Sequence, residues 1–263
     1  SDLFDETAGE IKSSRRFCVN SCDVAEMKYK KILLKLSGEG LMGEKSFGLD
    51  ESMLDNLARE IKLVHDAGVQ IALVIGGGNI FRGLKGAAGG MDRVRADHMG
   101  MLATVINSLA MQDALQRAGV PARVVSGVVM PTICEPYVQP RVKKKLEEGN
   151  VVHLCRGTGN PFFTTDTGAA LRAAEMGCEA IFKATQVDGV YSADPKKDKN
   201  AVRYEKVSYD EVLVKNLQVM DASAIALARD NDISIVVFSM HGQKALYRAL
   251  AGEGAFTVIS NAE

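Results

Sequence analysis

Val151-Val152-His153-Leu154-Cys155, then Gly157-Thr158-Gly159-Asn160-Pro161-Phe162-Phe163-Thr164-Thr165-Asp166, then Thr167 to Met176 closed by Gly177, is the stretch on which the fold turns. The first run is short and apolar and reads as a buried strand. The last reads as a helix with a glycine stop. A strand, a polar glycine-containing loop and a helix N-terminus make an anion site. The first helical N–H groups lack internal partners, and the helix dipole is positive there. Thr158, Thr164, Thr165, Asn160 and Asp166 add short hydrogen-bonding groups suited to a polyhydroxylated, phosphorylated ligand. A cap at Asp166 and a turn at Pro161 explain part of this composition. They do not explain Phe162 and Phe163 amid so many polar groups, so a ligand loop is the stronger reading.

Two further strand ends carry glycine-rich loops. Residues 69–75 read as a strand, and Gly76-Gly77-Gly78-Asn79 follows at once. Glycines without Cβ atoms let backbone N–H groups curl around a phosphate, and Arg82 just beyond could fork onto its oxygens. Ile32-Leu33-Leu34 leads into Lys35-Leu36-Ser37-Gly38-Glu39-Gly40. A lysine in an apolar strand is costly unless its ammonium emerges at a site. Gly38 to Gly43 matches a dinucleotide fingerprint, but that loop must open straight into a helix, and residues 44–49 intervene. Gly43-Glu44-Lys45-Ser46 lacks the glycine–lysine step of a Walker A loop.

Outward from these loops, apolar runs alternate with amphipathic ones. Strands are predicted at 31–36, 69–75, 122–129, 151–155 and 180–184. Helices are predicted at 50–67, with Met53, Leu57, Ile61 and Val64 inward, and at 92–118, with Leu102, Ile106, Leu109 and Ala110 inward. Further helices are predicted at 139–148 and 167–176. After a turn-rich stretch, helices near 208–216 and 221–230, a strand at 233–238, a helix at 242–250 and a strand at 256–260 close the chain. This order predicts an α/β fold with a mainly parallel sheet covered by helices on both faces. Ligands then sit at the carboxyl ends of the strands, where every loop above falls.

The 263 residues are 46% apolar and 25% charged, with a net charge of -1. That balance implies no general nucleic-acid field, so phosphate binding must come from local loops. Five cysteines are odd in number and scattered. Cys155 and Cys178 read as reduced core residues, and Cys18 and Cys22 are too isolated for zinc. A reducing cytoplasm fits this usage, and no stretch approaches a membrane span. Residues 1–28 read as a polar N-terminal extension. Residues 29–263 read as one domain whose pattern switches near residue 180.

Taken together, Lys35-Leu36-Ser37-Gly38, Gly76-Gly77-Gly78-Asn79 and Val187-Asp188-Gly189-Val190-Tyr191 with Asp194-Pro195 resemble the amino acid kinase superfamily. Gly78-Asn79-Ile80-Phe81-Arg82-Gly83, Ala96-Asp97-His98-Met99-Gly100-Met101 and the Gly157–Asp166 loop are similar to those of the bacterial UMP kinases (uridylate kinases). The resemblance runs from about Tyr29 to the C-terminus. It implies a three-layer α/β/α sandwich and Mg2+-dependent transfer of the γ-phosphoryl of ATP to UMP. It also implies a homohexamer, activation by GTP, inhibition by UTP, an acceptor lobe at about 29–180 and an ATP lobe at about 181–263.

By the same resemblance Lys35, Arg82 and Asp166 are catalytic. Lys35, Leu36, Ser37, Gly38, Gly78, Arg82, Thr185, Tyr191 and Asp194 meet ATP. Gly77, Asp97, Thr158, Gly159, Asn160, Pro161, Phe162, Phe163, Thr164 and Thr165 meet UMP. Gly43, Glu44, Lys45, Ser46, Phe47 and Gly48 match the GTP-effector region, and no direct magnesium ligand is assigned. An acceptor phosphate is ionised near neutral pH and needs no strong base, so alignment and charge neutralisation suffice. His98 reads as a packed or capping histidine rather than a base. The competing activities are carbamate, acetylglutamate or aspartate kinases, and a non-catalytic binding protein on the same fold.

Overall fold

The computed structural model describes residues 27–82 and 89–261. The predicted extension therefore lies outside the described residues except at Met27 and Lys28, as do Cys18, Cys22 and Gly83. In β1 (Lys31–Leu36) alternate side chains take opposite faces of the sheet. Ile32, Leu34 and Leu36 enter one core and Leu33 enters the other. Lys35 shares the face of Leu33, at the strand's carboxyl end.

The elements that follow are α1 (Glu51–Asp66), β2 (Gln70–Ile75), α2 (Arg93–Arg117), β3 (Ala122–Ser126), β4 (Glu135–Pro136), α3 (Gln139–Glu147) and β5 (Val151–Cys155). Next come α4 (Thr165–Met176), β6 (Ala180–Thr185), β7 (Lys206–Ser208), α5 (Tyr209–Val214), α6 (Ala222–Asp230), β8 (Ser234–Ser239), α7 (Ala245–Leu250) and β9 (Phe256–Ser260). Among the described residues nine strands form one sheet in the order β4-β3-β5-β2-β1-β6-β8-β9-β7. All pairings are parallel except β8 with β9. Leu57 and Ile61 of α1, Met111 and Leu115 of α2 and Leu246 of α7 pack on one face. Val142 of α3, Ala170 of α4, Val212 of α5 and Ile225 of α6 pack on the other. The three-layer α/β/α sandwich is thus present, with two cores separated by the sheet.

Several local expectations change. In α1 Leu54 and Ala58 are buried and Met53 is only half-buried. In α2 the inward residues include Thr104, Asn107, Ser108 and Met111, whereas Leu102 and Ile106 are 47% and 49% exposed. Leu109 and Ala110 lie at the boundary. The inner face of α2 borders a polar cleft, so hydrogen-bonding residues occupy positions that an apolar stripe would take in an ordinary surface helix. His98 is exposed, so it is not a packed histidine. Thr164 rather than Asp166 caps α4, accepting from the N–H groups of Asp166 and Thr167. The strand predicted to residue 129 stops at Ser126, whose hydroxyl bonds both the N–H and the C=O of Val128.

Candidate active site

Lys35 of β1 and Lys183 of β6 are paired neighbours in the parallel register. Two ammoniums side by side repel unless an anion stands between them. Asp166 supplies it from the first turn of α4, where a carboxylate also favours the helix dipole. Its Oδ1 lies 2.6 Å from Lys35 Nζ and its Oδ2 lies 2.8 Å from Lys183 Nζ. Burial opposes the charge on Asp166, but Lys35 and then Lys183 outweigh it and hold the carboxyl below its usual range. Burial lowers the pKa of Lys183 and Lys35 adds to this, against the pull of Asp166. Lys183 also donates to the Val219 carbonyl. The cluster holds two cations and one anion.

Two glycine loops meet beside this cluster. A Cβ on Gly38 would stand 2.5 Å from both the Gly76 carbonyl oxygen and Asn79 Oδ1, so the loops pack backbone to backbone. A Cβ on Gly77 would meet the Gly100 carbonyl oxygen at 2.7 Å, which brings α2 equally close. Asn79 and Asn107, both buried, exchange amide hydrogen bonds at 3.0 and 2.7 Å. Asn79 also donates to Gly48 O and Asn107 to Gly76 O. This pair fixes the glycine turn without any regular structure of its own. Leu36 is buried, and its carbonyl accepts from Gly76 N, so it supplies backbone rather than a side chain. Ser37 caps the 3-10 turn Gly38–Leu41.

A cavity of about 530 Å³ opens from the glycine loops between α2 and the 156–165 loop. Gly77, Gly78, Arg82, Asp97, Thr158 and Thr165 are among its lining residues. Asp97 accepts from Arg93 Nε at 3.0 and 2.9 Å and from the Phe162 N–H at 2.8 Å. It therefore ties the loop to α2. Phe162 has φ 72° and is 66% exposed, and the Arg93 guanidinium lies 5.4 Å from its ring centroid. Asn160, Phe163 and Thr164 also line the cavity, whereas Gly159, Pro161 and Phe162 shape the loop without lining it. Arg82 lines the cavity too, with its guanidinium paired to Glu39.

The remaining predicted residues lie elsewhere. Thr185 ends β6, and its hydroxyl donates to Val187 O. Tyr191 OH donates to Asp188 at 2.6 Å, and Asp194 accepts from the Lys196 N–H in an exposed turn. None of the three lines the cavity beside the glycine loops. Gly43 to Gly48 form an exposed loop ahead of α1, tied to the site through the Gly48 N–H on Asn79 O. In that loop Lys45 donates to Leu49 O, and Phe47 is exposed.

Several side chains of the cluster and the cavity wall escaped the sequence reading. Lys183 lies in an apolar strand just as Lys35 does, so the same argument could have found it. Asp221 caps α6 and also accepts from Thr164 and Thr167, clamping the start of α4. Arg156, buried in the cavity wall, gave no signal as a basic residue following a strand. Cys134, Cys155 and Cys178 are buried free thiols, and burial pushes Cys155 and Cys178 up to about 12. Among the described residues no three His, Cys, Asp or Glu side chains converge as a metal cage. No helix among them is long and apolar enough to cross a membrane.

The parallel sandwich and the lysine-carboxylate cluster beside glycine loops define a class. The chain belongs to the amino acid kinase family, whose model matches residues 30–239. It is 58% identical over 237 residues to the uridylate kinase of Paramagnetospirillum magneticum, covering 90% of this chain and 99% of that one. It is 57% identical over 235 residues to the uridylate kinase of Hyphomonas neptunium, covering 89% of this chain and 94% of that one. Among solved structures, the UMP kinase from Bacillus anthracis superposes with a TM-score of 0.86 at 39% identity, over 89% of this chain and 97% of the other.

Proposed function

We propose that this chain transfers the γ-phosphoryl group of ATP to UMP, giving UDP for pyrimidine nucleotide synthesis. The observation that carries this reading is the Lys35–Asp166–Lys183 cluster at the junction of two glycine loops, with the acceptor cavity opening beside it. An oxygen of the UMP phosphate attacks the γ-phosphorus. The bond from that phosphorus to the β–γ bridging oxygen breaks, and ADP leaves with the electron pair. The chain aligns the two nucleotides and neutralises the charge spread over the transferring group. Lys35 and Lys183 face that charge, Asp166 spaces them, and the N–H groups of Gly38, Gly77 and Gly78 cradle phosphate oxygens. Asp97 and the 158–165 loop hold the acceptor in the lobe 29–180. Thr185, Tyr191 and Asp194 serve ATP from the lobe 181–263.

Mg2+ accompanies ATP and adds charge neutralisation when bound. Among the described residues Asp166 is the carboxylate in direct contact with the two lysines, and both its oxygens already face ammoniums, so nucleotide phosphates would hold most of the ion's coordination. Effector GTP at residues 43–48, inhibition by UTP, a homohexamer and a cytoplasmic setting complete the proposal. Exposed Met99, Leu102 and Ile106 on the outer face of α2 support self-association. The test is ADP release from ATP and Mg2+ with UMP, CMP, carbamate, acetylglutamate or aspartate as acceptor. Turnover with UMP is expected; turnover with a small acid alone would sink the reading.

A further inference from the structure

Arg156 follows β5 and has surroundings unusual for a guanidinium. It is 8% exposed. Its φ is 65°, a region that non-glycine residues rarely enter. Its N–H is fixed by Thr104 Oγ1 at 2.9 Å. Among the described residues its Nε has no partner, and one terminal nitrogen reaches only the Met101 sulfur at 3.5 Å. It forms no ion pair among the described residues. Arginine keeps its proton, so such burial is costly until an oxygen acceptor arrives. Arg156 lines the cavity between α2 and the 156–165 loop, where a ligand can supply that acceptor.

Position decides which part of the ligand this is. β5 lies two strands from β1 in the sheet, so the two strand ends are roughly 10 Å apart. The guanidinium lies beside Cys134 and Cys155, which pack with Val124 on the β3 side, away from Lys35 and Lys183. Phosphoryl transfer requires the acceptor phosphate at the lysines. The base of the acceptor then lies toward Arg156. We infer that Arg156 donates its free N–H groups to the C4 carbonyl oxygen of the pyrimidine and selects uracil over cytosine. Cytosine carries an amino group at C4, which would set donor against donor.

This inference rests on the proposed function, and the experiment separates the two. kcat/KM for UMP and for CMP is measured in the wild type, Arg156→Met and Arg156→Lys, with KM for ATP and thermal unfolding alongside. In Arg156→Met we expect kcat/KM for UMP to fall about tenfold or more through KM. CMP should change less, the UMP/CMP ratio should narrow, and KM for ATP should hold. Lysine should restore part of the ratio. The melting temperature of Arg156→Met should not fall, because an unpaired buried charge has gone. If Arg156→Met does not fold, Arg156→Gln takes its place. An unchanged UMP/CMP ratio overturns the inference, as does an equal loss for both nucleotides, which would put Arg156 on sugar or phosphate. A wild type that leaves UMP untouched refutes the proposed function itself.

Discussion

His153 lies in the middle of β5, between Leu73 of β2 and Val124 of β3. It is fully buried, and among the described residues neither ring nitrogen has a hydrogen-bond partner. Burial pushes its pKa from 6.5 down to about 3. Above the unfolded value both states are neutral, and the histidine contributes no pH dependence to stability. As pH falls through 6.5, the unfolded chain binds a proton that the folded chain refuses, so stability is lost progressively until the folded state also protonates near pH 3. Linkage between those two values gives a loss of about 2 kcal/mol at pH 5 relative to neutral pH. His153→Leu removes this term while keeping a similar volume in the core. Urea unfolding of both proteins near pH 7.5 and near pH 5 isolates the effect, because the carboxylates titrate alike in each. The variant should lose about 2 kcal/mol less than the wild type on acidification. Equal losses in the two proteins would refute the reasoning.

Lys35→Ala should lower kcat by a factor corresponding to roughly 2–4 kcal/mol of transition-state stabilisation, read in steady-state kinetics. Near-normal turnover would remove Lys35 from the mechanism. Lys183→Met should also reduce turnover, by about tenfold or more, since Asp166 would keep one ammonium instead of two. Asp97→Asn should raise KM for UMP more than KM for ATP, and an effect confined to ATP would mean the two substrate sites are reversed. Gly38→Ala should cost about 1–3 kcal/mol by calorimetry, because its Cβ would meet the Gly76 carbonyl oxygen and Asn79 Oδ1 at 2.5 Å. A variant as stable as the wild type would show that the loops can part freely.

The strand-loop-helix units were readable because each joins a strongly periodic element to a glycine stop, as at Val151–Cys155 and Gly177. β4 and β7 were not, since Glu135–Pro136 and Lys206–Ser208 are too short to show a period. α2 was placed correctly but turned wrongly. Apolarity was the only guide to its inner face, and Thr104, Asn107 and Ser108 are buried there to bond a glycine turn and a cavity wall. Loop motifs marked many of the residues that line the cavity, because closely packed turns need glycine at fixed places. Lys183 carried the same lysine-in-apolar-strand signal as Lys35, but its pairing with Asp166 depends on β1 and β6 becoming neighbours. Arg156 depends on which way one backbone turn points, which is not written in local spacing.

Two ammoniums share the one carboxylate in direct contact with them, so the immediate cluster is positive, although Asp221 also bears on Lys183 and the chain as a whole carries -1. The three side chains are only 9%, 13% and 16% exposed. Mobile ions therefore reach them poorly, while charges on the outer surface are screened beyond about 8 Å at physiological ionic strength. Added salt should thus slow the long-range approach of nucleotides and leave the field at the bound phosphates nearly intact. Ionic strength becomes a means of separating capture from chemistry in this molecule.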